Sequence, residues 1–242
     1  MVRLPAVNPA DESAERVYRQ SRFAPPPGAT EVLLVRHGAS QAFRPGEPFP
    51  LVDGQGDPEL APEGREQAVQ VCRRLAGEHI DAVYVSSLRR TSQTAEPLAR
   101  ALGLVSRVEP DLREVHLGSW EGGLFRVKVA ENDPVALRLF AEERWDVIPG
   151  AEEAEAFARR VRQVIDRLAA AHAGQRLAVF THGAFIAQAL ALAARSRPFA
   201  FLGADNASIS HLVVLDGRWT VRRYNDTAHI DGALEASAAP LT

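Results

Sequence analysis

Two histidines in this chain stand in matching contexts, Val35-Arg36-His37-Gly38 and Phe180-Thr181-His182-Gly183. Each closes a short apolar run with strand character and is followed by glycine. An arginine precedes the first histidine, and Arg89-Arg90 follow a third apolar run, Ala82 to Val85. Arginine grips oxyanions through a rigid fork of N–H donors, and an imidazole can act as a nucleophile. Two histidines with two arginines therefore suit phosphoryl transfer. One imidazole attacks phosphorus while the other cationic groups hold the oxygens and stabilise spreading negative charge. A leaving alkoxide then needs a proton, which Glu114 in a polar loop could supply. Taken singly, the Arg-His pair could simply end a strand in water, and Arg89-Arg90 could be solvated residues of a capped helix.

The elements that must position these residues follow from hydrophobic periodicity. Strands are expected at 31–36, 81–86, 104–108 and 175–180, with helices at 63–77, 87–101, 123–131, 134–143, 151–173 and 184–195. Ile209 to Leu215 and Trp219 to Tyr224 flank Asp216-Gly217, a hairpin signal. Strands alternating with helices predict an α/β protein, a three-layer α/β/α sandwich with a mostly parallel central sheet and a C-terminal hairpin strand. Parallel strands bring their carboxyl ends to one edge, where ligands of such sheets bind. His37 and His182 are thus expected together, joined by Arg36 and Arg90. The Pro/Gly-rich stretch Phe43 to Pro62 reads as a long loop able to overhang that edge.

The 242 residues are expected to divide into an N-terminal extension and linker over 1–29, with a short helix over Asp11–Arg22, a main domain over 30–232 and a tail over 233–242. A net charge of −3 offers no global field for nucleic acid or a membrane surface. Lys128 is the only lysine, so nearly all basic residues are arginine, a bias explained more simply by codon usage than by phosphate binding. Cys72 is the only cysteine, which rules out an intrachain disulfide, and its helical spacing with Val71 and Leu75 places it in the core. Pro5 and Pro9 interrupt any signal-peptide core, and no apolar run reaches membrane-spanning length. A cytoplasmic location is compatible with these features. No His-Glu-x-x-His or paired-cysteine pattern occurs, so neither a metal nor a cofactor is expected. His116 reads as a loop histidine, His211 as structural and Trp120 as a loop anchor. Glu152, Glu153 and Glu155 suit the first turn of a helix.

The chain resembles the histidine phosphatase, or phosphoglycerate mutase-like, superfamily across about 31–230. The Arg-His-Gly motif stands at Arg36-His37-Gly38. The Ser-x-Leu-x-Arg-x-x-x-Thr-Ala element falls at Ser86 to Ala95. Leu112-Arg113-Glu114 with Gly118-Ser119-Trp120-Glu121-Gly122 matches a third element, and His182-Gly183 the second His-Gly. Weaker matches are Pro149 to Glu152, Asn206 to Ile209 and Asn225 to His229. The resemblance implies that His37 becomes phosphohistidine, that Arg36, Arg90 and His182 bind the phosphoryl group, and that Glu114 is general acid and then base. Alignment with the motif favours Arg90 over Arg89 for the pocket.

Two departures bear on function. Family members often carry an asparagine that touches phosphate shortly after Arg-His-Gly; here Ser40-Gln41-Ala42-Phe43 stands, with Gln41 as the candidate substitute. Mutases carry a large basic insertion after the catalytic glutamate, whereas Gly118 to Pro149 is short and acidic, with Arg126, Lys128, Arg138 and Arg144 as its candidate substrate cations. The resemblance thus points to a metal-independent phosphomonoester hydrolase acting on a small phosphorylated substrate, with mutase-type transfer or weak phospho-ligand binding as the alternatives. A homodimer is allowed by this reading; nucleic-acid and membrane partners are not expected.

Overall fold

The computed structural model describes residues 20–230. The 233–242 tail lies outside them, as does most of the helix expected at Asp11–Arg22. In chain order the elements are β1 (Thr30–Arg36), β2 (Leu51–Val52), β3 (Gln55–Gly56), α1 (Pro62–Leu75), β4 (Ala82–Val85), α2 (Arg89–Leu102), β5 (Ser106–Val108), α3 (Leu124–Ala130), α4 (Pro134–Glu142), α5 (Ala154–Ala171), β6 (Arg176–Thr181), α6 (Gly183–Ala194), β7 (Ile209–Leu215) and β8 (Arg218–Asp226). The central sheet has the order β5-β4-β6-β1-β7-β8. The first four strands run parallel, and β7 and β8 close the edge antiparallel.

The three layers follow from the two-residue period of the strands. On β1, Val32 and Leu34 point into the core shared with Phe157, Val161, Val164 and Ile165 of α5 and Phe185 and Ile186 of α6. Leu33 and Val35 point the other way, onto Val71 and Leu75 of α1 and Ala95 and Leu98 of α2. Strand β6 divides alike, Leu177 and Val179 against Ala178 and Phe180. A strand buried on both faces has no polar side to show, which is why these runs read as continuously apolar. Cys72 is partly buried against the α1/α2 core.

Four local expectations are refined. The strand expected from Leu104 begins only at Ser106, because Gly103 takes φ +65° and the Leu104 amide bonds Ala99 O, spending that residue on the α2 cap. The long loop contains the β2–β3 hairpin, turned by Asp53 (φ +47°) and Gly54 (φ +82°), the left-handed pair that favours tight hairpins. The polar loop after β5 contains two 3-10 turns, Pro110–Leu112 and Gly118–Trp120, with Trp120 buried as an anchor. Helix α5 starts at Ala154, so only Glu155 lies in its first turn. Glu152 instead pairs with Arg160 at 2.6 Å.

Beyond β1 the chain runs hard against α1. A Cβ on Gly38 would lie 2.5 Å from Gly64 O, and one on Gly64 would lie 2.0 Å from Ala39 O. Neither neighbour is a flexible side chain. Gly64 therefore lets the helix press against the segment that carries His37. In an ordinary helix interior, alanine is favoured over glycine by up to about 1 kcal/mol. Here Gly64→Ala should destabilise by about 1–3 kcal/mol, the usual cost of overpacking, whereas Gly77→Ala, with nothing within 4 Å, should be near neutral. Urea unfolding of both variants tests this, and a Gly64→Ala chain as stable as the native one would contradict it.

Candidate active site

Register brings the two histidines together. Arg36 on β1 is opposite Thr181 on β6, and the His37 amide donates to Thr181 O at 3.0 Å. His37 and His182 therefore leave the sheet side by side, with ring centroids 5.1 Å apart and planes at 62°. His182 is fully buried and His37 is only 6% exposed. Nδ1 of His37 lies 2.8 Å from Gly38 O. A carbonyl only accepts, so that nitrogen carries the proton and Nε2 keeps its lone pair. Nε2 of His182 lies 2.9 Å from Ser86 Oγ, which also bonds Thr91. Nδ1 of His182 is buried without a hydrogen-bond partner among the described residues.

The arginines differ sharply. Arg89 is spent outside the site, its Nε donating to Asp57 Oδ2 at 2.7 Å and its NH1 to Glu59 Oε1 at 3.3 Å. Arg90, the next residue, is buried and donates to Gly56 O at 2.9 Å. Arg36 donates to Ala204 O, and Gly183 lies close beneath its guanidinium, where a Cβ would be 3.5 Å from Cζ. Burial pulls Arg90 down to about 10, although Glu114 and Asp57 oppose it. Arg36 is lowered for the same reason. Burial, with Arg90 and Arg36 nearby, holds the His37 imidazole well below 6.5. Burial, Arg90 and His37 do the same to His182. Both rings are therefore neutral near pH 7.

Glu114 reaches the site from the loop after β5. Its Oε1 accepts from the amides of Val115 and Phe185, both at 3.1 Å, and its Oε2 from Ala184 at 3.2 Å. The carboxyl thus sits on the N-terminus of α6, where free N–H groups and the helix dipole favour negative charge. Desolvation nevertheless outweighs those bonds and the pull of Arg90 and Arg36, so its pKa is raised. Gln55 of β3 donates to Glu114 O at 2.8 Å, which ties the hairpin to this loop. Arg160 on α5 clamps the loop from below. It donates to the carbonyls of Asp111, Arg113 and Glu114 at 2.8, 2.9 and 3.2 Å, and twice to Glu152.

The structure thus gathers Arg36, His37, Arg90, Glu114 and His182 at the carboxyl edge of the sheet. Gln41 is exposed; its carbonyl accepts from Arg126 at 2.7 Å. Sequence reasoning left several supports without a role: Ser86 on His182, Thr94 accepting from the Gly38 amide at 3.0 Å, Asn206 donating to His37 O at 3.0 Å, and Arg160. The first three lie in motif elements whose spacing hinted at function. Arg160 has no local signature, because its partners lie up to 49 residues away. His116 accepts from the Gly118 amide at 3.0 Å and stiffens its own loop, while His211 meets Glu31 at 3.0 Å.

A neutral imidazole with an unprotonated Nε2, set among guanidiniums and a carboxyl group, has the parts for attack on a phosphoryl centre. Comparison with known proteins agrees with that class. The profile of the histidine phosphatase superfamily (branch 1) matches residues 32–227. The chain belongs to that superfamily. It is 33% identical over 206 residues to a metal-independent phosphoserine phosphatase of Arabidopsis thaliana, covering 83% of both chains. It is 30% identical to phosphoserine phosphatase 1 of Hydrogenobacter thermophilus over 83% of this chain and 94% of that one. A mycobacterial glucosyl-3-phosphoglycerate phosphatase superposes with a TM-score of 0.69 at 29% identity, over 82% of this chain and all of that one.

The charge states carry a prediction for stability. In the unfolded chain both histidines titrate near 6.5, and in the fold they titrate well below it. Between those values the unfolded chain binds more protons, so the stability they contribute is complete above about pH 6.5 and is lost as pH falls. Glu114 works in the opposite sense: its contribution is present below 4.5 and is lost as pH rises through its folded value. Denaturant unfolding at about pH 7.5 and pH 5.5 should show native stability dropping at the lower pH. That drop should shrink in His182→Asn, and an undiminished drop would contradict the assignment.

Proposed function

We propose that this protein is a metal-independent phosphomonoesterase that works in two steps through a phosphohistidine on His37. The observation that carries the reading is the pair of buried, neutral imidazoles 5.1 Å apart, with His37 Nδ1 pinned to its own backbone and Nε2 left as nucleophile. Nε2 attacks phosphorus as the ester P–O bond breaks, and the Glu114 carboxyl gives its proton to the departing alkoxide. Water then attacks phosphorus, Glu114 takes a proton from it, and the P–N bond breaks to release orthophosphate and neutral His37. Arg36 and Arg90 hold the phosphoryl oxygens, and the unpartnered Nδ1 of His182 is available for a further contact. These donors are fixed before substrate arrives, so little reorganisation is needed as charge spreads. The raised pKa of Glu114 favours the protonated form that the first step requires.

Hydrolysis is preferred to intermolecular phosphate transfer because the segment after Glu114 has few cations to spare. Lys128 pairs with Asp133 at 2.8 Å, Arg138 with Glu142 at 3.0 Å and Arg144 with Asp146 at 2.9 Å. A second phosphate would find little there to hold it. The named relatives include phosphatases of phosphoserine and of glucosyl-3-phosphoglycerate, which supports a small phosphorylated metabolite as substrate.

Hydrolysis of p-nitrophenyl phosphate in the presence of chelator should fall at least about a thousandfold in His37→Ala, with the circular dichroism spectrum unchanged. Glu114→Gln should lose about a hundredfold on alkyl phosphates but much less on p-nitrophenyl phosphate, whose leaving group needs little protonation. Equal losses on both substrates would remove Glu114 from the acid role, and chelator-sensitive activity would remove the metal-free mechanism.

A further inference from the structure

Between α6 and β7 the chain makes a turn, Ala204 to Ser208, that lies outside the strands and yet carries the end of β1. Ser208 O accepts from the Arg36 amide at 3.1 Å. The Ala207 amide donates to Arg36 O and His37 O at 3.1 and 3.2 Å, and Asn206 Nδ2 donates to His37 O at 3.0 Å. The Arg36 guanidinium rests on Ala204 O at the other end of the same turn. The carbonyl of the nucleophile is therefore seated on a segment that has no ladder of its own to keep its shape. Ala207 is fully buried with φ +61°, a left-handed conformation that is costly for any residue with a Cβ. Something outside the turn must hold it.

Two side chains at the C-terminal end of the described chain do so. Asn225 on β8 takes Asp205 twice, Oδ1 accepting from its amide and Nδ2 donating to its carboxylate, both at 2.7 Å. His229 takes the other end of the turn, with Nε2 3.0 Å from Ala207 O. A carbonyl only accepts, so Nε2 carries the proton. Nδ1 is buried without a hydrogen-bond partner among the described residues. Burial lowers the His229 pKa, although the Ala207 bond and Asp226 oppose it. The ring is itself well seated. Asp226 Oδ1 accepts from the Ala228 amide at 3.2 Å, and its Oδ2 lies 3.7 Å from Arg74 on α1. The Ile230 amide donates to Thr227 O at 2.8 Å, and the Ile230 side chain packs on the α1/α2 core. One residue thus joins His229 to His37: the Ala207 carbonyl takes the first and the Ala207 amide holds the second.

We propose that His229 is a positioning residue for the nucleophile, holding Ala207 so that the main chain of His37 stays seated and its Nε2 stays aimed for attack. It acts through Ala207 and not on the substrate. This rests on the phosphatase reading above and gives the Asn225 to His229 segment a role in it. Attack is steep in placement, since a nucleophile displaced by about 1 Å can lose about a hundredfold in rate. The Arg36 guanidinium rests on Ala204, at the end of the turn that Asn225 holds. Loss of the His229 bond therefore falls on turnover more than on binding.

Three variants separate the hydrogen bond from the packing of the ring. His229→Ala should lower kcat for p-nitrophenyl phosphate about tenfold or more, with KM changed less than about threefold. His229→Gln, whose amide N–H can donate to Ala207 O, should recover most of that rate. His229→Phe, which keeps the bulk and loses the donor, should not. Hydrogen exchange of the resting chain, followed by NMR, needs no turnover. There the Ala207 amide should exchange about tenfold faster in His229→Ala and His229→Phe, with the amides of β6 unchanged. An unchanged kcat in those two variants, or a loss confined to KM, overturns the proposal. Equal losses in His229→Gln and His229→Phe would make His229 a packing residue, and unchanged exchange at Ala207 would remove the tether; either result overturns it too. A native chain that turns over no phosphomonoester would count against the phosphatase reading instead, and the exchange comparison then decides the tether by itself.

Discussion

The parallel pairing of β1 with β6 sets the rest of the site. Arg36 is opposite Thr181 in that ladder, and the next residue of each strand is a histidine. A shift of one residue would reverse the faces of Val32 to Val35 and carry His37 away from His182. Apolar side chains on both faces of β1 forbid that shift, because Leu33 and Val35 belong under α1 and α2 while Val32 and Leu34 belong under α5 and α6. The spacing of two imidazoles is thus fixed by the packing of a hydrophobic core. The Gly38–Gly64 approach then fixes where the chain goes once it has left the sheet.

Within that frame the electrostatics are deliberately unbalanced. Burying guanidiniums is costly, and Arg36, Arg90 and Arg126 are all lowered by it. Desolvation, with the field of Arg90 and Arg36, keeps both imidazoles neutral, which a nucleophilic nitrogen requires. The same burial raises Glu114, which an acid requires. Folding bears a penalty that an anionic ligand would relieve, and groups pushed from their ordinary pKa in opposite directions are what acid–base chemistry in one pocket calls for. Arg160 and Gln55 hold Glu114 in place by its backbone, which leaves the carboxyl free to change charge.

The sheet, its order of elements and the meeting of His37 with His182 were legible in the chain. They rest on local signals: apolar runs, glycine turns and the rule that parallel strands end together. The choice of Arg90 over Arg89 came from resemblance, and its physical ground is the engagement of Arg89 by Asp57 and Glu59, carboxylates 32 and 30 residues away. The start of β5 was misplaced because Leu104 is apolar yet serves a helix cap. Glu152 was assigned to a helix dipole by composition, whereas its carboxylate serves Arg160 across the helix start.

The most direct test of the account is to trap the intermediate. The native chain would be mixed with a phosphomonoester labelled at phosphorus, quenched in denaturant at alkaline pH within milliseconds, digested and sequenced by mass spectrometry. The account predicts one acid-labile, base-stable phosphate on His37, formed and lost at rates compatible with turnover. Phosphate on His182 or another residue, or steady turnover with no phosphorylated enzyme, would contradict it.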